Sequence, residues 1–136
     1  MKIAFTIPGN PVGKPRMTRQ DKWIKRPRVM RYRAWCDMAK IAFKSAWKVS
    51  NSFMGENDAL IINITAYLPI PKSLKKQIIG GQAHIKRPDR DNILKSVQDA
   101  LNGVAYKDDR QVYDGRTTKL YSNNPRTEVE IEYLFV

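Results

Sequence analysis

The stretch "KRPDRDNILKSVQDALN" (Lys86–Asn102) combines a helix signal with a cluster of acidic side chains. At roughly 100° per residue, its apolar side chains fall within one arc and its charged ones on the opposite side. The apolar arc holds Ile93, Leu94, Val97, Ala100 and Leu101, and the charged side holds Asp91, Lys95 and Asp99. The pattern predicts an amphipathic helix over Asp91–Asn102 that buries the apolar arc and ends at Asn102-Gly103.

Acidic side chains are concentrated in and after this helix, although the chain has a net charge of +12. Of its 13 acidic residues, six lie in the 26 residues from Asp89 to Asp114. They are Asp89, Asp91, Asp99, Asp108, Asp109 and Asp114. A basic protein usually spreads its acids among its own lysines, so this cluster suggests that a cation belongs there.

The positive charge is concentrated in the first part of the chain. Residues 1–50 hold 13 of the 25 Lys and Arg residues and only 2 acids. Together with a pI near 10.0, this asymmetry indicates a polyanion as partner, either nucleic acid or an anionic membrane surface. Trp23, Tyr32 and Trp35 alternate with the basic residues, which favours nucleic acid because aromatic rings can stack on bases. A simply solvated basic face remains the alternative.

The remaining elements follow from hydrophobic periodicity and from turn residues. Strands are predicted at Lys2–Gly9, Ala59–Pro71, Gln111–Ser122 and Thr127–Val136, with a hairpin turn at Asn123–Arg126. A long loop or ordered arm is predicted at Asn10–Val29, a turn at Asn51–Asn57, and a short helix at Lys72–Ile79. A long helix is predicted at Met30–Val49, with an apolar face of Ala34, Trp35, Met38, Ile41, Ala42 and Trp47.

The element order is therefore β-α-β-α-β-β in a single domain of 136 residues. It predicts an α+β fold, with a mixed β-sheet and helices packed on one face. The chain has no apolar run long enough to span a bilayer, and its apolar N-terminus lacks the pattern of a signal peptide. We therefore expect a cytoplasmic protein with no membrane partner.

Two single residues have ordinary interpretations. Cys36 is the only cysteine, so it can form no intrachain disulfide, and its place in the predicted helix favours a buried apolar role over a nucleophilic one. His84 is the only histidine and is predicted to be an ordinary loop residue. Their number excludes a metal site built from cysteine or mainly from histidine.

The acidic cluster has a purely structural interpretation. Asp89 or Asp91 can cap the helix, Asp91, Lys95 and Asp99 can form a ladder of ion pairs, and Asp108 and Asp109 can form a turn. The functional alternative is metal-dependent cleavage of a phosphodiester, since Mg²⁺ or Mn²⁺ prefers carboxylate oxygens. Two aspartates separated by one residue at a helix start can face one ion, and a third acid can come from the loop Tyr106–Gln111. Lys95 would then neutralise charge on the phosphate.

The region Lys86–Val112 resembles the core motif of the RusA family of Holliday junction resolvases, small bacterial endodeoxyribonucleases often found in prophages. The matching blocks are P-D-x-D-N (Pro88, Asp89, Asp91, Asn92), then Lys95, D-A-L-N-G (Asp99–Gly103) and K-D-D-x-Q-V (Lys107–Val112). Outside this region, the basic "IPGNPVGKPRMTR" (Ile7–Arg19) is similar to the N-terminal loop of prophage-type members. The resemblance implies paired symmetric nicking of four-way junctions, in DNA recombination and repair, by a homodimer that needs Mg²⁺ or Mn²⁺ and no small-molecule cofactor.

By resemblance, the catalytic residues are Asp89, Asp91, Asp109 and Lys95, and the three aspartates bind the metal. Asp99 is assigned either a structural role or a supporting role behind the direct metal ligands, and Asp108 stays an alternative to Asp109. Ten basic residues are predicted to contact DNA: Lys14, Arg16, Arg19, Lys22, Lys25, Arg26, Arg28, Lys86, Arg87 and Arg90. Two other functions remain open, a nuclease for flaps or forks and a DNA-binding protein without catalysis.

Overall fold

The fold is one mixed sheet covered on one face by two helices, and the computed structural model describes residues 1–47 and 55–134 of it. The strands are β1 (Lys2–Pro8), β2 (Ala59–Pro69), β3 (Val112–Asp114), β4 (Thr117–Ser122) and β5 (Arg126–Leu134). The helices are α1 (Pro27–Ala46) and α2 (Arg90–Leu101). Short 3₁₀ turns lie at Arg19–Lys22, Lys72–Leu74 and Asp109–Gln111. The predicted α+β architecture is confirmed.

Strand β2 is the centre of the sheet. It pairs antiparallel with β5, which pairs antiparallel with β1 at the edge. On its other side β2 pairs in parallel with β3 and then with β4. Parallel neighbours require a crossover connection, and here the crossover from β2 to β3 contains α2. The first turn of α2 is thereby placed beside the sheet edge formed by β4.

The predicted continuous strand Gln111–Ser122 and the predicted hairpin at Asn123–Arg126 are both wrong. Gly115, at φ +144°, separates β3 from β4. Strands β4 and β5 both pair with β2 and so lie on opposite sides of it. Residues Asn123–Arg126 therefore lead the chain past the end of β2 rather than joining paired neighbours. The local sequence of such a turn does not show whether the two strands it joins pair with each other or lie on opposite sides of a third strand.

The core lies between the sheet and the two helices. Alternate residues of the three long strands are buried, and Phe43 of α1 packs edge to face on Phe5 of β1 with ring centroids 5.7 Å apart. The predicted apolar arc of α2 is confirmed, with four of its members buried and Leu94 partly buried. Opposite the helices, the sheet exposes a polar face.

The predicted buried face of α1 is largely wrong. The helix buries Val29, Tyr32, Trp35, Cys36, Ala39 and Phe43. Of the predicted set, Trp35 is buried and Ala42 and Trp47 are partly so, whereas Ala34, Met38 and Ile41 are exposed. The helix carries two apolar stripes on opposite sides, both with a spacing of three to four residues, and only one packs on the sheet.

Several boundaries also differ from the prediction. Helix α1 begins three residues earlier, because Pro27 suits the first helical position. Strand β2 ends at Pro69, and the predicted helix Lys72–Ile79 is reduced to one 3₁₀ turn. Residues 48–54 and 135–136, with most of the predicted turn at Asn51–Asn57, lie outside the described residues. Neither described range contains a helix that is long and apolar enough to cross a membrane.

Cys36 and His84 are both placed as the sequence suggested. Cys36 is buried in α1, and burial raises the pKa of its thiol. His84 lies in the loop before α2, as predicted, but it is only 8% exposed and its ring packs against Tyr121. Burial and the neighbouring charge of Lys119 lower the pKa of His84, so the imidazole is neutral near pH 7.

The arm between β1 and α1 is organised by Asp21, a buried carboxylate. It accepts hydrogen bonds from Thr18 N at 2.6 Å and from Arg26 Nε at 2.7 Å. The same guanidinium donates to the carbonyl of Arg16 at 2.9 Å. These contacts, led by Arg26, lower the pKa of Asp21 to about 2. An ordered arm, rather than a mobile loop, therefore carries the basic residues.

The Thr18 amide proton resonance is expected to titrate with Asp21, with a midpoint near pH 2 instead of the ordinary 3.8. Because the pKa is lower in the folded state, the carboxylate stabilises the arm fully above about pH 4. That contribution is lost as the pH falls towards 2. The measurement is an NMR titration of the amide shift. A midpoint near 4 would mean that Arg26 does not hold Asp21 in solution.

Candidate metal and nucleic-acid site

A basic groove of about 530 Å³ lies between the arm, α1 and the loop that precedes α2. We call it the first groove, and it is lined by residues 11–15, Arg28, Arg31, Arg87, Pro88, Asp89 and Asn92. The arm is fixed along it, since Lys14 N donates to Asn92 O at 3.2 Å. A Cβ at Gly13 would lie 2.8 Å from Pro88 Cβ, so only glycine allows this approach.

Asp89 and Asp91 lie at the start of α2. Asp89 occupies the N-cap position, but its side chain makes no capping hydrogen bond. Asp91 lies in the first turn, and both side chains are exposed. Within the described residues neither carboxylate forms an ion pair. The structure therefore gives no support to helix capping by Asp89 and leaves both carboxylates available for a ligand.

The predicted ion-pair ladder along α2 is absent from the described part of the chain. Lys95 is exposed and pairs with neither aspartate. Asp99 instead accepts a hydrogen bond from the Tyr32 hydroxyl and lies 3.3 Å from Lys14 Nζ. Burial and this carboxylate raise the pKa of Tyr32, so the phenol stays protonated as a donor. Asp99 thus ties the arm and α1 to α2, in agreement with its predicted structural role.

Asp108 and Asp109 have different surroundings. Asp108 caps the 3₁₀ turn, since its carboxylate accepts from Arg110 N at 2.9 Å. Gln111 completes this cap through its Oε1 atom, which accepts from Asp108 N at 3.1 Å. Asp109 is exposed, and its carboxylate forms no ion pair among the described residues. These contacts favour Asp109 over Asp108 as the available acid, as the motif indicates.

Asp109 lies near the far end of α2. Its charge, after burial, helps to raise the pKa of Tyr106, whose hydroxyl donates to Gln98 O at 2.6 Å. Gln98 is seven residues after Asp91, or about 10 Å along the helix. Across residues 1–47 and 55–134, no three His, Cys, Asp or Glu side chains are grouped as metal ligands. The assignment of Asp109 as third ligand stays a prediction.

Asp89 and Asp91 nevertheless fit a Mg²⁺ site of a common kind. Mg²⁺ retains several waters and is usually bound by one or two carboxylates together with substrate phosphates. Two exposed, unpaired aspartates at a helix start supply such carboxylates, and the first groove supplies cations for the phosphate. The donor set is therefore suited to an ion held jointly with a nucleic acid.

The predicted DNA-contacting residues are distributed over the arm, α1 and the loop. Lys14, Arg28 and Arg87 line the first groove, whereas Arg90 faces away from it. Arg16, Arg19, Lys22, Lys25 and Lys86 are exposed. Arg26 forms an ion pair with Asp21. This structural role is enough to explain the presence of Arg26 in the arm without a contact to DNA.

Sequence reasoning missed Arg31 and Lys119. Arg31 lies one turn after Arg28 on α1 and also lines the first groove, and this spacing was a usable signal. Lys119 Nζ donates to the carbonyls of Lys86 and Pro88 at 2.6 and 2.7 Å. It therefore fixes the loop that ends in Asp89. No local pattern could have assigned this role, because the contact joins β4 to a loop 31 residues away.

Comparison with known proteins gives a family match over almost the whole chain. The family described as endodeoxyribonuclease RusA matches residues 8–132 of 136. The uncharacterized protein YqaN of Bacillus subtilis (strain 168) is 43% identical over 77 residues, which are 52% of this chain and 54% of that protein. The chain thus spans about half the length of this curated relative. Because the family match includes the first groove and all the acidic residues discussed above, the chain belongs to the RusA endodeoxyribonuclease family.

Proposed function

We propose that this protein is a Mg²⁺-dependent endodeoxyribonuclease that resolves Holliday junctions by paired symmetric nicks, in DNA recombination and repair. The observation that carries the proposal is the pair of exposed, unpaired carboxylates at the start of α2, Asp89, which lines the first groove, and Asp91 in the first turn of the helix. If the acidic cluster had only a structural role, its carboxylates would form ion pairs with the protein's own Lys and Arg side chains. Among the described residues, neither Asp89 nor Asp91 forms such a pair.

In the proposed mechanism, the first groove binds the DNA backbone through Lys14, Arg28 and Arg31. Asp89 and Asp91 are the residues that would hold the Mg²⁺ ion, and Mn²⁺ could replace it. When bound, the metal polarises a phosphate oxygen and lowers the pKa of a bound water. Lys95, one turn along the helix from Asp91, neutralises the charge that develops on the phosphate. Lys119 keeps the loop and therefore Asp89 in position.

A homodimer is part of the proposal. A four-way junction has two-fold symmetry and has to be cut on two strands of like polarity. Two copies related by a two-fold axis present two identical sites at a fixed separation. Each copy also adds a net charge of +12 to the shared DNA-binding surface. The symmetry of the substrate therefore explains why one small chain would act in pairs.

The experiment that tests the function compares a synthetic four-way junction with a linear duplex, a flap and a fork of the same arm sequence. Each is incubated with the protein in Mg²⁺ and in EDTA, and the products are separated on a denaturing gel. We expect paired nicks at symmetric positions on the junction, in Mg²⁺ only. Equal cutting of flaps and forks would broaden the substrate class. Tight junction binding without any nick would indicate a binding protein instead.

Lys95→Ala is expected to lower junction cleavage about 10²- to 10³-fold, because one positive charge facing the phosphate is lost. Metal binding, measured by calorimetry with Mn²⁺, should change little since Lys95 is not a ligand. Lys44→Ala is the control, because Lys44 is also an exposed lysine on a helix but belongs to the last turn of α1 and not to α2. Unchanged cleavage by Lys95→Ala would reduce Lys95 to an ordinary surface cation.

A further inference from the structure

A second basic groove lies on the other side of the loop that carries Asp89. It has a volume of about 390 Å³ and is formed by the loop, the start of α2 and strand β4. Its polar lining consists of His84, Arg90, Arg116, Thr117, Thr118 and Lys119. Among the residues that the structure describes, no acidic side chain lines it. The second groove therefore combines three cations with two hydroxyl groups, which is a suitable set for a phosphate group.

The two arginines of the second groove are available for a ligand. Arg90 and Arg116 are exposed, and no ion pair involves either guanidinium within the described ranges. The backbone of Arg116 is fixed on both sides, since its N donates to Asn63 Oδ1 at 2.9 Å and its O accepts from Ile64 N at 2.8 Å. A rigid backbone with a solvated guanidinium is a common arrangement for binding an anion.

His84 forms the buried wall of the second groove. Its Nδ1 atom is buried and has no hydrogen-bond partner in the described part of the chain. The neutral imidazole can donate a hydrogen bond from one nitrogen to a phosphate oxygen. The lining therefore offers a hydrogen-bonding side chain in addition to its charges.

The two grooves are lined by consecutive residues of the chain. Asp89 lines the first groove and the next residue, Arg90, lines the second. A strand that crosses the loop at Asp89 would therefore bring its next phosphates to the second groove.

We propose that the second groove binds a phosphodiester of the cleaved DNA strand, one or two nucleotides from the phosphate at Asp89. This inference rests on the proposed nuclease function, because it assigns the groove to the same substrate. The groove holds the strand on the far side of the loop, so the scissile phosphate is fixed from both sides. Arg116 and Arg90 supply the charge, and His84 and Thr118 supply hydrogen bonds.

The only histidine of the chain makes the groove directly observable. Protein carrying isotope-labelled histidine and the change Asp91→Asn, which prevents cutting, is titrated with a four-way junction. The His84 ring signals are followed by NMR. We expect these signals to shift as the junction binds. When the Asp91→Asn protein also carries Arg116→Gln, a higher DNA concentration should be needed to reach the same shift.

Arg116→Gln is expected to weaken junction binding about fivefold near 0.15 M salt and to lower the salt slope by about 0.9, which is the effect of one phosphate contact. Lys44→Gln removes the same charge from α1 outside both grooves and should change binding less than twofold. A methylphosphonate placed one or two nucleotides from the cut should weaken binding of the parent protein about fivefold, but should have little further effect on Arg116→Gln.

The outcomes separate this inference from the nuclease proposal. Shifted His84 signals and weaker junction binding by Arg116→Gln than by Lys44→Gln, with no nick by the wild-type chain in Mg²⁺, would keep the second groove as a phosphodiester-binding site and remove the nuclease function. The opposite outcome is normal nicking, no shift of the His84 signals, and equal junction affinities of Arg116→Gln and Lys44→Gln. It would overturn the assignment of the second groove and leave the nuclease function intact.

Discussion

Asp91→Asn is expected to lower Mg²⁺-dependent cleavage of a four-way junction by at least about 10³-fold, because the metal's contribution of several kcal/mol is lost. The side chain is exposed in the first turn of α2, and no ion pair with the described residues would be broken. The variant should therefore fold normally. Junction binding should be unchanged or tighter, since one negative charge near the phosphate is removed. Gel assays of nicking and of binding measure the two effects separately.

The matched control is Asp37→Asn. Asp37 is also an exposed aspartate on a helix and it forms no ion pair among the described residues, but it lies on α1 and not beside Asp89 at the start of α2. Both variants raise the net charge by one. If Asp37→Asn cleaves normally and Asp91→Asn does not, a general electrostatic effect is excluded. Normal cleavage by Asp91→Asn would contradict its assignment as a metal ligand.

The amphipathic helix α2 could be predicted from the sequence almost completely. Its apolar residues follow the helical period on one side only, and its ends carry residues typical of a helix start and a helix end. The face predicted from the local sequence is therefore the face that packs in the core. Helix α1 was harder because it carries apolar stripes on opposite sides. Met38 belongs to one stripe and Phe43 to the other, and both stripes have helical spacing. Periodicity alone therefore cannot decide which of the two residues is buried. The choice is made by packing against Phe5 of β1, which no local window contains.

The pairing of the strands in the sheet could not be predicted from local sequence either. The strands were found from composition and alternation, but their pairing depends on contacts far apart in the sequence. Two strands joined by a short polar turn usually pair, so a hairpin was the natural prediction for Asn123–Arg126. Instead β2 pairs with both of them, in opposite directions. Only the position of β2 in space distinguishes the two arrangements.

The candidate site was predictable where the residues are close in the chain. Asp89, Asp91 and Lys95 belong to one loop and one helix, so a motif describes them fully. Arg116 lies between β3 and β4 and Lys119 lies in β4, and only the parallel pairing of β4 with β2 brings them to the loop. Their contributions therefore appear in the fold and not in the sequence pattern.

Gly115→Ala is expected to destabilise the protein by about 3 to 5 kcal/mol. A Cβ at this position would lie 1.8 Å from Ile62 O and 2.7 Å from Ile62 C, both of them backbone atoms. The residue also has φ +144°, which side-chain-bearing residues rarely adopt. Relief of the clash requires β3 and β4 to move away from β2. Urea unfolding followed by circular dichroism measures the loss.

Gly81→Ala separates the clash from the backbone conformation. Gly81 has φ +82°, but a Cβ at this position would have no heavy atom of another part of the chain within 4 Å. This substitution should therefore cost only about 1 kcal/mol, the usual penalty for the left-handed conformation. A Gly115→Ala variant that is no less stable than Gly81→Ala would show that the chain at Gly115 does not approach Ile62 so closely. Because Arg116 follows directly, that result would also remove the fixed backbone on which the second groove depends.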